Sequence, residues 1–371
     1  MPPSPRPDWA GRLQRIEQFC ARHDLDVLVI SATVNVKYLT GFDGSSGLLV
    51  SGLRGHCLIT DGRYVAQVRD GIRGGRIAAV EVEQVESRYD SALAARLGHV
   101  GPRRVGFEAA HVTVATLRRW RELVAQTEWC PTEEAVERLR LIKDDAELDV
   151  FRQGGRAIAG VARMLGACVG RGRTERQVAR EIDQAVERAG FERPAFDTIV
   201  ASGPNSAYPH ARPTDRQLRD GDLVVLDFGG VLDGYCLDLT RMVGIGQIGS
   251  AAENLYTAVR AAQEAAVRAV RAGALGADGD RAARQVLDSQ GLGAAFLHGT
   301  GHGLGLEVHE APRLAKANPG VTDVLEAGMV CTVEPGAYIE GLGGVRLEDD
   351  VLVTIGGSEV LTDAPRDLLI V

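Results

Sequence analysis

The chain has 371 residues, 45% hydrophobic and 25% charged, a globular balance long enough for two domains with real cores. Its net charge is −8 without a basic block, which argues against a nucleic-acid or anionic-membrane partner. Six scattered cysteines (Cys20, Cys57, Cys130, Cys168, Cys236, Cys331) form no CxxC pair, which argues against a zinc-thiolate site and fits a reducing compartment.

The lead, residues 1 to 8, is proline-rich and has no apolar core of a secretory signal, and no apolar run reaches membrane-spanning length. A cytoplasmic protein is expected. Apolar residues at 13, 16, 19 and 20 predict a helix over Arg12–Arg22. Strands are expected at Leu25–Ser31, Gly47–Ser51, His56–Thr60, Ile77–Val82 and Arg104–Glu108, and a helix over Val112–Val124. Strands alternating with helices predict an α/β domain over 1–131. The glycine-rich stretch from Gly41 to Gly47 reads as a tight loop between strands, or also as the edge of a substrate cleft. It has neither the Lys-Ser/Thr end nor the GxGxxG spacing of a nucleotide loop.

A second domain is expected over 132–371, built twice to one plan. A helix over Asp145–Met164 precedes one opened by a capping box, Thr174 with Gln177, and stopped at Gly190. A loop with His210 follows, then a hairpin bearing Asp227 and Asp238. Ser250 with Glu253 reads as another capping box for a helix closing at Gly273, and a further helix fits Gly279–Gln290. Then come a histidine-rich run (His298, His302, His309) and a hairpin bearing Glu334 and Glu348.

If Asp227 and Asp238 stand opposite each other, their turn centres between Leu232 and Asp233, and the paired carboxylates repel unless a cation lies between them. In the second hairpin Arg346 and Glu348 share a face. Asp227, Asp238, His302, Glu334 and Glu348 form an oxygen-rich set with one imidazole. That set suits two divalent ions, Mn2+ or Mg2+ ahead of structural zinc, with Zn2+, Fe2+ and Co2+ as alternatives. Charge agrees: four carboxylates and a bridging hydroxide are balanced by two divalent ions and Arg346. Taken singly, each of these residues is more simply a cap, turn or loop residue. Their co-occurrence carries the reading.

Val-Leu-Asp227-Phe-Gly, Leu-Asp238-Leu-Thr-Arg, His298-Gly-Thr-Gly-His302-Gly-Leu-Gly-Leu, Thr-Val-Glu334-Pro-Gly and Gly-Val-Arg-Leu-Glu348-Asp-Asp resemble the signature of the pita-bread metallopeptidases. The likeness spans about residues 135 to 371. Tyr38-Leu-Thr-Gly-Phe-Asp-Gly-Ser-Ser-Gly and Leu-Ile-Thr-Asp-Gly-Arg-Tyr64 resemble the creatinase-like N-terminal domain of aminopeptidase P-type proteins. The resemblance implies a two-domain α/β (α+β) fold with a pseudo-two-fold catalytic domain, a homodimer, and cleavage before proline. Aminopeptidase P is put ahead of prolidase. Creatinase itself lacks the ligands found here, as do binding modules of this fold.

The same resemblance implies roles. Asp227 and Glu348 bridge both ions, Asp238 holds one, and His302 and Glu334 hold the other. Glu334 is the general base, His210 and His309 contact the substrate carbonyl, His298 lines the proline pocket, and Tyr338 and Arg346 orient the carboxylates.

Overall fold

A computed structural model describes residues 7–317 and 323–371. The chain divides into two compact units, the first running from Arg6 to Arg140 and the second from Leu141 to Val371. Most of the proline-rich lead lies outside the described residues.

The first unit opens with α1 (Trp9–Arg22), capped by the Asp8 carboxylate on the Gly11 N–H. Its Leu13, Ile16 and Cys20 are buried, as their spacing predicts. Then come β1 (Val27–Ile30), α2 (Thr33–Thr40), β2 (Leu48–Gly52), β3 (Gly55–Asp61), α3 (Val65–Arg73), β4 (Glu81–Val85), α4 (Tyr89–Val100), β5 (Arg104–Glu108), α5 (Val114–Leu123), β6 (Glu128–Thr132) and a single turn, α6 (Glu137–Arg140). The strands form one mixed sheet in the order β4-β3-β2-β1-β5-β6.

Two expectations need correction here, and one helix has no counterpart among them. The stretch from Gly41 joins a helix, α2, to a strand rather than two strands, and Gly41 caps α2 with a φ of 78°. The fourth strand lies at Glu81–Val85, not Ile77–Val82: Ile77 and Ala78 are buried in the connection before it. Their apolar signal records burial, not a ladder. Helix α2 carries β-branched Thr33, Val34 and Val36, which favour strand. It forms because the buried Glu108 carboxylate accepts the N–H groups of Ser31 (2.6 Å) and Ala32 (2.8 Å) at its start.

The second unit begins with α7 (Asp145–Arg163), whose capping box joins Asp144 and Glu147, and a turn, α8 (Leu165–Cys168). Helix α9 (Glu175–Arg188) has the predicted box: Thr174 Oγ1 accepts from Gln177 N at 3.2 Å and Gln177 Oε1 from Thr174 N at 2.9 Å. Then follow β7 (Arg193–Pro194), β8 (Ile199–Ser202), β9 (Leu223–Leu232) and β10 (Tyr235–Gly244). The second half repeats the plan with α10 (Ser250–Ala269), α11 (Gly276–Ser289), β11 (Gly301–Gly303), β12 (Glu310–Leu314), β13 (Val330–Val333), β14 (Gly336–Ile339), β15 (Gly343–Arg346), β16 (Asp349–Thr354), β17 (Gly357–Val360) and β18 (Leu369–Ile370). The box expected at Ser250 is absent: Gly249 is the N-cap, and Ser250 is the first helical residue.

One sheet orders β18-β10-β9-β7 with β8 also on β9, and a second orders β12-β11-β13-β16-β17. Leu226, Phe228, Leu237 and Leu239 join the core formed with α7 and α9. Val225 and Met242 join the other core, formed with α10 and α11. The β9–β10 hairpin therefore contributes one face to each core, with α7 and α9 on one side and α10 and α11 on the other. No helix among the described residues is long and apolar enough to cross a membrane.

Candidate metal centre

The β9–β10 hairpin sets the first two carboxylates. Asp227 pairs with Thr240 and Asp238 with Gly229, so the two acids sit diagonally on one face, not directly opposed. The hairpin turns at Asp233-Gly234, both with positive φ (47° and 83°), between the paired Leu232 and Tyr235. A two-residue turn of that kind matches the twist of the strands, and Asp-Gly is its usual sequence. The turn therefore sits one residue later than equal opposition of the acids requires.

The other two carboxylates stand at a break in a longer hairpin. Val333 pairs with Asp349 on one side of the break and Gly336 with Arg346 on the other, in one continuous register. Glu334 and Glu348 thus occupy opposing positions where the ladder is interrupted. Each backbone is tied elsewhere: Glu334 N donates to Thr300 O (2.7 Å) and Glu348 N to Thr240 O (3.3 Å).

His302 comes from β11, where glycines allow close approach. A Cβ on Gly301 would lie 2.0 Å from Thr332 O. His302 N donates to Thr332 Oγ1 (3.1 Å), and its Nδ1–H to Gly303 O (3.1 Å). That tautomer leaves a lone pair on Nε2, which lies 3.4 Å from Glu334 Oε1 and 4.0 Å from Asp238 Oδ2. Burial lowers the His302 pKa.

Asp238, His302 and Glu348 each offer one donor atom, all within 4.8 Å of one another. Glu334 joins them through His302. Asp227 joins through its charge, which raises the carboxyls of Asp238 and Glu348. Burial first, then mutual repulsion, pushes Asp238 and Glu348 well above the carboxylate range, and burial pushes Glu334 up to about 7. Among the described residues Asp227 Oδ1, Asp238 Oδ1 and Glu348 Oε1 are buried without a hydrogen-bond partner. Buried carboxylate oxygens without partners, on acids grouped with an imidazole whose lone pair is free, suit a cation, and the residues fit divalent ions. Glu334 is the most open of the four acids, with 18% of its side chain exposed against 12% for Asp227 and 8% for Asp238.

Around these residues lies a second layer of bonds. The buried Arg346 donates to Asp227 Oδ2, to Tyr338 OH (2.7 Å), to Thr240 Oγ1 (3.3 Å) and to Pro209 O (3.2 Å). Tyr338 OH in turn donates to His298 Nε2 (2.9 Å), and His298 Nδ1–H to Gly299 O (2.7 Å). Burial pulls the His298 pKa down to about 4. His309 is exposed, with its ring 4.3 Å from that of His302. His210 is also exposed, and its charge lowers the carboxyl of Glu334 and the imidazoles of His298 and His309.

Several supporting residues have no role in the sequence reading. Thr240 Oγ1 donates to Glu348 Oε2 (2.6 Å), and Asp350 Oδ2 accepts from Asp238 N (3.0 Å). Arg241, on the opposite face of β10, donates to Glu348 O (2.6 Å), Asp349 Oδ1 (2.8 Å), Ala364 O (2.9 Å) and Pro365 O (2.9 Å). Asp349 Oδ2 also accepts from Gln263 and Arg366, at 2.7 Å each. Charged residues inside apolar strands, Arg241 and Asp349 above all, are the signal that could have found this layer.

Fold and site together define a class: a two-domain α/β protein with a pseudo-two-fold pita-bread catalytic domain and a carboxylate-rich cluster, able to hold a cation, between its halves. Residues 149–355 match the model of metallopeptidase family M24 and residues 12–142 that of the creatinase/prolidase N-terminal domain, and the chain belongs to the M24 family. An Xaa-Pro dipeptidase of Pyrococcus furiosus is 31% identical over 96% of this chain and 99% of its own. The solved structure of an Xaa-Pro dipeptidase from Bacillus anthracis is similar at a TM-score of 0.93, with 33% identity, over 98% of this chain and all of that one. An X-Pro aminopeptidase from Thermotoga maritima is similar at a TM-score of 0.85, with 31% identity, over 95% of this chain and all of that one.

Proposed function

We propose that the protein is a metallopeptidase that cleaves the bond before proline, with Xaa-Pro dipeptides as its leading substrates. The observation that carries the reading is the grouping of donor atoms of Asp238, His302 and Glu348 within 4.8 Å of one another, beside buried carboxylate oxygens without a hydrogen-bond partner. Likeness over nearly the whole chain to two Xaa-Pro dipeptidases supports the dipeptide. The sequence alone ranks aminopeptidase P first, and the likeness to an X-Pro aminopeptidase keeps that as the second reading.

Proline in a peptide bond has no N–H, so a site for it must work through the carbonyl before the ring. Asp227, Asp238, His302, Glu334 and Glu348 would hold two divalent ions, Mn2+ first among them. When bound, the ions supply Lewis acidity and acidify a water. Glu334, the most open acid, takes the proton of the attacking water and passes it toward the leaving proline nitrogen. His210 and His309 donate to the carbonyl oxygen as charge builds there. His298, held neutral and fixed by Tyr338, lines the proline pocket. Arg346 fixes Asp227 and Tyr338 together. A homodimer in the cytoplasm completes the reading, on the strength of the family resemblance and the scattered cysteines.

The test is a comparison of Xaa-Pro with Xaa-Pro-Yaa substrates after reconstitution with Mn2+, beside a chelated control. A kcat/KM at least about tenfold higher on the dipeptide is expected. The reverse order selects the aminopeptidase, and no metal-dependent cleavage of either refutes both.

A further inference from the structure

His210 sits in the loop from Ser202 to Thr214, and this loop is gripped from beneath by one fully buried acid. Glu175, the first residue of α9, has no exposed surface. Its Oε1 accepts from Ser202 N (2.8 Å), Ser202 Oγ (2.7 Å) and Asn205 Nδ2 (3.0 Å). Its Oε2 accepts from Thr214 N (2.9 Å), Thr214 Oγ1 (2.6 Å) and Asn205 Nδ2 (3.1 Å). Every one of these donors belongs to the loop, including both of its ends. A carboxylate offers about four lone-pair sites, so its whole accepting capacity is committed to this one segment. The helix N-terminus favours its negative charge.

The loop's other side touches the centre. Arg346 Nη1 donates to Pro209 O (3.2 Å), and Gly344 N donates to Ser206 Oγ (2.8 Å). The second half has a comparable device. Asp280, on α11, is buried and accepts from Thr300 Oγ1 (3.0 Å) and Arg284 Nε (2.7 Å), while Arg284 donates to His298 O (2.6 Å). In each half a buried acid near the start of the second helix holds the histidine-bearing segment that follows.

We propose that Glu175 is the positioning residue of the His210 loop, fixing where that histidine stands relative to Arg346 and Glu334. The inference rests on the reading of His210 as a group that meets the substrate carbonyl. Either oxygen replaced by an amide NH2 would face three donors with a fourth, so Glu175→Gln keeps the shape but breaks half of the grip.

The test has two arms. The first is amide hydrogen exchange on the full chain. Glu175→Gln should speed exchange over residues 202–214 at least about tenfold while α9 and β9 keep their protection. Unchanged exchange there overturns the proposal. The second is a double-mutant cycle on an Xaa-Pro dipeptide with Mn2+. Glu175→Gln should lower kcat/KM about 10- to 100-fold in the wild type, at unchanged metal content, and add nothing in a His210→Ala background. Losses that multiply overturn it. Asp183→Asn is the control: this acid lies on the same helix and bonds Thr198 Oγ1 (2.6 Å), before the loop. If it reproduces both effects, the cause is general loosening and the proposal falls. Should Glu175→Gln fail to fold, Asn205→Ala removes a donor from the loop side and should move both readouts in the same direction, and no movement is contrary. If the wild type cleaves no Xaa-Pro bond, the peptidase reading fails and the exchange arm alone decides on Glu175.

Discussion

Glu334 differs from its three neighbours in openness, which supports the proposal that it handles the proton while the others hold cations. Replacing it by Gln keeps an oxygen toward His302 and removes the base. The expected result is a loss of about 10²- to 10⁴-fold in kcat with the fold retained, read by steady-state kinetics beside circular dichroism. Activity within tenfold of wild type would remove Glu334 as the base. His298 shows the same logic inverted. Burial keeps its imidazole neutral through the working pH range, so it offers a fixed dipole and a flat face, not a titrating group. Composition and spacing singled out the acids and histidines, but not their states, because those depend on which neighbours burial brings near.

At the scale of elements, the β9–β10 hairpin shows what was legible and what was misread. Alternation placed Asp227 and Asp238 on one face correctly. Direct opposition of the two acids gives a register one residue off, although Asp233-Gly234 between apolar runs already marks the turn. Gly234→Val should therefore lower stability by about 1–2 kcal/mol, because a β-branched residue cannot adopt its φ of 83° without strain. Urea midpoints measure this, and an unchanged midpoint would mean the turn does not set the register. Capping was read correctly at Thr174 and wrongly at Ser250, where the same pattern falls one residue inside the helix. Helix α2 was missed altogether: its β-branched sequence carries the wrong local preference, and the capping carboxylate comes from Glu108, distant in the chain. Local signals fail where a partner from another part of the sequence decides.

At the scale of the molecule, the clustered acids link stability to pH and to cations. Without ions, the folded chain keeps protons on Asp238, Glu334 and Glu348 that the unfolded chain has already lost near pH 4–5. For an acid raised in the folded state, stability is lost as pH rises toward the raised value, about 7 for Glu334. Divalent ions favour the ionised forms and reverse that loss. His298, lowered to about 4 by burial, has the opposite sign below pH 6.5. The gap in Tm between Mn2+-loaded and chelated protein should thus widen from about pH 5 to pH 7.5, reaching about 5–10 °C. A gap constant with pH in calorimetry would contradict the cation site.

The bonds that assemble the centre join parts of the chain far apart in sequence. Thr240 and Glu348 are 108 residues apart, Asp238 and Asp350 are 112, and Arg241 and Ala364 are 123. Contacts of such separation carry a large loop-closure cost. The cage is therefore expected to close after the rate-limiting barrier, so that an ion meets a nearly finished molecule. Stopped-flow traces should show Mn2+ slowing unfolding while the refolding rate stays the same, and an ion that accelerates refolding would mean the two halves meet around it.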